Sequence, residues 1–262
     1  MTSLRSCEHS SMALYVSPRG MMRVEALDAG RLRARIDTGV AEDEPTLRRL
    51  VELENESESY GGPCIPLVVE HLEGGHLVVV CDALRRPPLP AERRLRWREC
   101  RELVVGLCLL ASHLHAEEHA LGPPARPLVF GTEFLWAPFA ALHGFVHRSE
   151  SNLRGPQLPL FHFKQSPEGR LGTPTSDVFF LTQFLFELIT AREAYRFRED
   201  DYPRYVEELR RGPTLVDVVW PGVGVACNAP MPESLAVFQK GLHPDPEARY
   251  PDPQALLEAL ER

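Results

Sequence analysis

The stretch LGTPTSDVFFLTQFLFELIT, Leu171–Thr190, decides the architecture of this chain. From position 178 to position 189 nearly every residue is apolar, with only a narrow strip of polar side chains. A helix that is apolar on almost all sides belongs in a protein interior, and this one is too short to cross a bilayer, which takes about 20 apolar residues. Oxygen-bearing side chains at Thr175, Ser176 and Asp177 are typical of a helix start. The stretch therefore predicts a buried central helix.

The overall composition is ordinary for a soluble globular protein. With 262 residues and 44% hydrophobic content, the chain can form one large domain or two smaller lobes. The formal net charge of −8 argues against nucleic-acid binding as its main role. No apolar run is long enough for a membrane span or a secretion signal. The six cysteines contain no Cys-x-x-Cys pair, which predicts free thiols in a cytoplasmic protein.

The first third of the chain has the pattern of a β-sheet with one helix. Residues 1–12 are polar and without pattern, which predicts a disordered start. Three short strands separated by turn signals follow within residues 13–37. A helix is predicted over residues 42–58. Beyond it, the turn Glu73-Gly74-Gly75 joins two further strands into a hairpin.

The rest of the chain is mainly helical. A proline-rich segment, residues 85–90, is the predicted linker between residues 13–84 and residues 91–262. Besides the central helix, apolar periodicity and caps predict helices over residues 95–115, 202–211, 232–242 and 252–261. A β-rich first lobe with one helix, followed by a mainly helical second lobe, is an α+β fold.

Four local strings, in the order in which they occur, resemble the protein kinase domain, in particular the bacterial Ser/Thr kinases of eukaryotic-like type. Ser166-Pro167-Glu168 is similar to the Ala-Pro-Glu motif that closes the activation segment. Ser176–Phe179 is similar to the start of the buried helix F, and Phe184–Thr190 to the string LYELLTG. Pro244–Tyr250 is similar to the Asp-Pro-x-x-Arg motif near the end of the domain. The resemblance implies a two-lobed, protein-kinase-like fold.

The resemblance also implies structural roles for three residues. In the family, the glutamate of the first motif pairs with the arginine of the last, and here these residues are Glu168 and Arg249. The planar fork of an arginine matches a carboxylate in geometry and charge. In an active kinase the aspartate of helix F hydrogen-bonds the backbone of the catalytic loop. Its counterpart is Asp177, for which we expect an anchoring or capping role.

The positions that carry phosphoryl transfer in kinases hold other residue types in this chain. Kinases use a strand lysine, a catalytic-loop aspartate and asparagine, and a metal-binding aspartate. Alignment of the flanking motifs places Ile36 at the strand lysine, Leu128 at the catalytic aspartate and Glu133 at the asparagine. Gly144 stands at the metal-binding aspartate when the next residue is taken as the anchoring phenylalanine. Leu128 cannot accept a proton from a substrate hydroxyl.

Neighbouring registers leave alternatives open. A shift by one residue brings Arg35 to the strand-lysine position, and another brings His143 to the metal-binding position. Neither His143 nor Gly144 supplies the carboxylate oxygen that Mg²⁺ prefers. The glycine loop over the phosphates keeps Gly20 alone of its three glycines. The first helix carries three candidate glutamate partners for a strand cation: Glu52, Glu54 and Glu56.

Two further clusters carry little functional signal. His115 and His119 have the spacing of two metal ligands on one helix face, but a third ligand of defined spacing is missing. In the family, the position of His115 is a packing and hydrogen-bonding position, so we predict neither a metal nor a cofactor. Three serines in or beside the long loop are candidate phosphate acceptors for a genuine kinase: Ser149, Ser151 and Ser166.

Scaffold motifs without the catalytic groups predict a catalytically inactive pseudokinase. We expect a protein-binding adaptor or allosteric regulator in signalling, without productive Mg-ATP binding and without nucleic-acid or membrane partners. The expected partners are proteins, among them an active Ser/Thr kinase or its substrate. The alternative is an atypical kinase-fold enzyme, or a nucleotide- or small-molecule-binding module, that uses Arg35, Glu133 and His143.

Overall fold

The computed structural model describes residues 13–16, 22–28, 30–37, 44–57, 59, 64–81, 89–90, 92–124, 128–131, 133–134, 166–168, 172–195, 202–212 and 231–262. The N-terminal segment predicted to be disordered, residues 1–12, lies outside these ranges, as does most of the predicted linker at residues 85–90. Within the described ranges, no helix is long and apolar enough to cross a membrane.

A five-stranded antiparallel sheet forms the first lobe. Its strands are β1 (Ala13–Val16), β2 (Met22–Asp28), β3 (Arg31–Asp37), β4 (Val68–Glu73) and β5 (His76–Cys81). The spatial order is β1-β2-β3-β5-β4, so the last hairpin joins the sheet with its second strand inward. The turn between β4 and β5 uses Gly74 and Gly75 at φ angles of 61° and 83°, a backbone region that glycine adopts without steric cost.

Alternation along β3 assigns one face of the sheet to the core and the other to solvent. Leu32, Ala34 and Ile36 are buried, whereas Arg31 and Arg35 are exposed. Because side chains of a strand alternate with a period of two, a slip of one residue would exchange the two sets. Helix α1 (Glu44–Ser57) contributes four residues to the same apolar core: Leu47, Leu50, Val51 and Leu53.

The second lobe consists mainly of helices. These are α2 (Trp97–Ala116), α3 (Pro174–Thr190), α4 (Tyr202–Arg211), α5 (Met231–Gly241) and α6 (Pro253–Glu261), with a 3₁₀ turn at Pro246–Ala248. Two short strands, β6 (Val129–Phe130) and β7 (Glu133–Phe134), pair as a small hairpin. Helix α2 packs against α3 and α6, and α3 also packs against α5 and α6. The α+β plan predicted from the sequence is therefore confirmed.

Helix α3 is the centre of this lobe, and every residue from Ser176 to Thr190 is buried. The N-cap is Thr173, two residues before the predicted cap at positions 175–177. Pro174 takes the first helical position, which suits a residue without an N–H. The Thr173 hydroxyl accepts a hydrogen bond from the backbone N–H of Ser176 at 3.1 Å, as an N-cap does. Asp177 is therefore not the N-cap of α3, and its carboxylate can contact residues outside this helix.

Polar side chains inside α3 are accommodated in different ways. The hydroxyls of Thr182 and Thr190 donate to the carbonyls four residues earlier, each at 2.8 Å. Thr182 also faces Gly241 of α5, where an added Cβ would lie 2.1 Å from the Thr182 hydroxyl oxygen. The two helices can approach this closely because Gly241 has no side chain.

Gln183 is different, because its amide is buried without compensation. The residue is fully buried, and within the described part of the chain neither Oε1 nor Nε2 has a hydrogen-bond partner. Burying a polar group without a hydrogen bond costs about 1–3 kcal/mol in proteins.

We expect the substitution Gln183→Met to raise the free energy of unfolding by about 1 kcal/mol or more, because it keeps the volume and removes the uncompensated amide. Urea denaturation followed by circular dichroism measures the change. The matched control is Gln239→Met on the exposed side of α5, which should stay within about 0.5 kcal/mol. A less stable Gln183→Met protein would contradict the assignment of an uncompensated amide.

Candidate functional site

Asp177, in the first turn of α3, holds the chain that follows α2. Its carboxylate is fully buried and accepts hydrogen bonds from the backbone N–H groups of Leu121 at 2.7 Å and Gly122 at 2.9 Å. A third contact of 2.9 Å joins its Oδ2 to Nε2 of His115 in the last turn of α2. Hydrogen bonds to a charged acceptor are strong where water is excluded. The three contacts therefore fix this loop relative to α3.

The backbone that Asp177 holds lies just after helix α2. In the kinase family, which the chain resembles, the catalytic loop reads His-Arg-Asp-Leu-Lys-Pro-Glu-Asn and leads directly into a small strand. Here the held backbone begins at Leu121, and the strand β6 begins eight positions later at Val129. This spacing favours a second register beside the predicted one, in which Pro123 aligns with the catalytic aspartate and Leu128 with the asparagine.

The register predicted from the sequence begins five positions later in the chain. It placed Leu128 at the catalytic aspartate and Glu133 at the asparagine. However, Leu128 is fully buried next to β6, and Glu133 lies in β7, paired with Phe130 of β6. Residues 121–128 match the family motif at none of the aligned positions, so the sequence carries no local signal for the register that begins at Leu121. Pro123 is buried and carries no ionisable group.

Strand β3 separates the two candidates for the lysine position. Ile36 is 1% exposed and belongs to the apolar core. The Arg35 side chain is 55% exposed on the opposite face and lies 4.0 Å from Glu25. Arg35 and Ile36 therefore lie on opposite faces of the sheet.

Among the three glutamates of α1, the structure singles out Glu54. Its side chain is on the buried side of the helix with 1% exposure, whereas Glu52 and Glu56 are exposed. The signal was present in the sequence, because Glu54 follows Leu47 and Leu50 at spacings of seven and four residues, which share one helix face. A glutamate on an apolar helix face is unusual and costly to bury.

Glu168 and Arg249 form a bidentate ion pair. The two guanidinium Nη atoms of Arg249 donate to the two carboxylate oxygens of Glu168 at 3.0 Å and 2.8 Å. The Arg249 side chain is fully buried, and it also donates to the carbonyls of Thr175, His243 and Pro244 at 3.2, 2.6 and 3.1 Å. One arginine thus joins the segment of Glu168, the start of α3 and the turn before α6.

Two candidate histidines of α2 contact acidic side chains. His115 is engaged by Asp177, and Nε2 of His113 lies 3.7 Å from Glu56. In the described residues, no group of three His, Cys, Asp or Glu side chains converges in a way that could hold a metal ion. Ser166 is 1% exposed, which does not suit an acceptor of phosphate from another kinase.

The cysteines of the described ranges are reduced and buried: Cys64, Cys81, Cys100 and Cys108. Burial raises the pKa of the Cys108 thiol far above its ordinary value, so this side chain is an unreactive part of the core. The remaining predicted positions lie outside the described residues: Gly20, His143, Gly144, Ser149 and Ser151.

Comparison with known proteins identifies the fold. No protein-family profile matches the chain, and neither does the sequence of any curated protein. Among solved structures, the chain is similar to the kinase PK-1 of Cydia pomonella granulovirus, with a TM-score of 0.55 and 9% sequence identity. The similarity covers 94% of this chain and 91% of that one. At so low an identity the similarity shows the fold alone: the chain has a protein-kinase-like fold with a sheet lobe and a helical lobe.

We expect Asp177→Ala to lower the free energy of unfolding by about 2 kcal/mol or more, because two buried backbone N–H groups lose their acceptor. Thermal and urea denaturation measure the loss. The control Asp245→Ala removes an exposed cap of the 3₁₀ turn, whose side chain accepts from Glu247 N at 3.0 Å, and should cost about 1 kcal/mol at most. Unchanged melting of Asp177→Ala would contradict the anchoring role.

We expect Arg249→Lys to destabilise the protein by about 3 kcal/mol, because an ammonium group cannot reproduce the bidentate geometry or reach the three carbonyls. Urea denaturation checks this value. Arg98→Lys is the matched control, since Arg98 is 85% exposed and pairs with Glu102 on the surface; its effect should stay within about 0.5 kcal/mol. Equal effects of the two substitutions would show that the ion pair contributes charge alone.

Proposed function

We propose that this chain is a pseudokinase: a kinase-like protein that transfers no phosphate and acts in signalling by binding another protein. The observation that carries the proposal is the contrast around Asp177. The anchor that positions a catalytic loop is complete, with hydrogen bonds of 2.7 Å to Leu121 and 2.9 Å to Gly122. In the register that this anchor favours, the held backbone leads into Pro123, which would take the position of the catalytic aspartate.

The residue types at the other positions support the same proposal. Phosphoryl transfer depends on positioned cations, on a metal held by carboxylates and on a residue that accepts the proton of the attacking hydroxyl. Ile36 at the strand-lysine position is apolar and buried, and Leu128 at the asparagine position is fully buried. Neither side chain can bind phosphate or a metal ion. The partner that this proposal favours is a protein, such as an active Ser/Thr kinase or one of its substrates.

Retention of the supporting framework fits a binding role. The Glu168–Arg249 pair and helix α3, which is buried from Ser176 to Thr190, tie the elements of the second lobe together. A rigid surface loses less conformational entropy when it binds a partner. A chain that no longer transfers phosphate but still presents a rigid kinase-like surface is suited to work as an adaptor or allosteric regulator.

The test is a phosphotransfer assay with ATP labelled at the γ-phosphate, with Mg²⁺ or Mn²⁺, and with casein and myelin basic protein as acceptors. We expect no transfer above the protein-free background, and no difference between the wild type and Glu133→Ala. We also expect Mg-ATP at about 1 mM to raise the melting temperature by less than about 1 °C, because weak ligands add little stability by mass action. An active kinase serves as positive control. Turnover that Glu133→Ala abolishes would overturn the proposal.

A further inference from the structure

Helix α1 connects the first lobe to the second. In the described part of the chain, the most extensive contact between elements of the two lobes joins α1 to α2. Within its own lobe, α1 is attached at both ends. The Asn55 amide exchanges two hydrogen bonds, of 2.8 Å and 2.7 Å, with the backbone of Leu67 just before β4, and Glu44 accepts one from the N–H of Gly74. A movement of α1 against α2 is therefore a movement of the first lobe against the second.

The polar part of this contact is centred on Arg49 of α1. Its guanidinium lies 3.1 Å from Glu56 and 3.6 Å from Glu52, both on α1, and 3.3 Å from Glu117, which directly follows α2. The other carboxylate oxygen of Glu56 lies 3.7 Å from Nε2 of His113 on α2. We call these residues the Arg49 cluster: Arg49, Glu52, Glu56, His113 and Glu117. The contacts of Arg49 with Glu117 and of Glu56 with His113 cross from one lobe to the other.

The charges at the ends of the two helices complement one another. The C-terminal end of a helix carries a negative partial charge, which cations stabilise and carboxylates oppose. The last turn of α1 contains Glu56 and no basic residue, so the charge of Glu56 is unfavourably placed within its own helix. Arg49 and His113 face it instead. Arg49 also brings a positive charge to Glu117, the C-cap residue of α2.

Glu117 is a firm attachment point in the second lobe. Its backbone N–H donates to the carbonyl of Leu114 at 3.0 Å. Two residues earlier, His115 contacts the buried carboxylate of Asp177 at 2.9 Å. The end of α2 is thus fixed to α3 on one side and contacts α1 through the Arg49 cluster on the other.

Directional contacts are needed to fix the angle between the lobes. The apolar core runs continuously through both lobes, but apolar contact is non-directional and therefore tolerates a small rotation. Charge-assisted hydrogen bonds have a preferred geometry. Single exposed ion pairs contribute little, whereas several charges in a network contribute more. The side chains of Arg49 and Glu117 are 37% and 43% exposed, so water and salt can reach the cluster and weaken it.

We propose that the Arg49 cluster is an ionic latch that holds α1, and with it the first lobe, in one orientation against the second lobe. Reversing the charge of Arg49 or Glu117 releases α1 from the end of α2, while each lobe keeps its fold because its own core is unchanged. This inference concerns the movement of the lobes and does not depend on the proposed function.

The test measures the distance between the lobes in the full chain by double electron–electron resonance. Nitroxide labels are attached at Val68→Cys on β4 and Gln254→Cys on α6, both at exposed positions. Cys7 and Cys227 are replaced by serine, and the four cysteines of the described ranges are buried.

We expect Arg49→Glu and Glu117→Arg each to raise the fraction of molecules outside the main distance peak about fivefold or more, because attraction between the lobes becomes repulsion. The charge swap, Arg49→Glu combined with Glu117→Arg, should return most molecules to the wild-type distance. Raising the salt from about 0.1 M to about 1 M should change the wild type in the direction of Arg49→Glu, because the Debye length falls from about 10 Å to about 3 Å.

The matched control is Arg204→Glu, since Arg204 is 64% exposed and pairs with Glu208 within α4; it should leave the distances unchanged. Circular dichroism melts should show that all variants are folded at the temperature of labelling. Wild-type distances in both single variants, or a charge swap no closer to the wild type than the single variants, would overturn the inference. If a single variant does not fold, the salt series of the wild type decides, and distances that do not respond to salt overturn the latch.

Discussion

The buried carboxylate of Asp177 is the constraint on which the second lobe depends. It lies in the first turn of the central helix α3. It contacts His115 at the end of α2 and accepts hydrogen bonds from the backbone that follows α2. A charge buried this deeply is tolerated because three donors surround it, and removing them would leave it uncompensated. The carboxylate therefore couples the position of the loop to the packing of the central helix.

Arg249 is a second buried side chain that connects the start of α3 to other segments. Its guanidinium joins Glu168 to the carbonyls of Thr175, His243 and Pro244, which belong to two other segments. It also lies 4.8 Å from the centre of the Phe179 ring. Asp177 and Arg249 both fix the start of α3 to neighbouring segments. These contacts stabilise the kinase-like lobe and involve no bound substrate or cofactor.

Much of the fold was available from the sequence because it depends on local pattern. The alternation of β3 placed Ile36 inside and Arg35 outside, and the apolar run of α3 required burial. Strands and helices consequently fall within a few residues of their predicted bounds. The loop register was not available. Residues 121–128 contain two adjacent prolines and no charged motif before Arg126, so nothing local distinguished this segment from the one that follows it.

The sequence by itself determined the two-lobed α+β plan, the central helix and the identities of Glu168, Arg249 and Asp177, because periodicity and motif spacing survive without three-dimensional information. Only the tertiary structure decided what these side chains contact. It brought the backbone of Leu121 and Gly122 against Asp177, and it buried Glu54 while Glu52 and Glu56 stay exposed. Such relations join residues far apart in the chain, and their distances are set by packing rather than by local propensity.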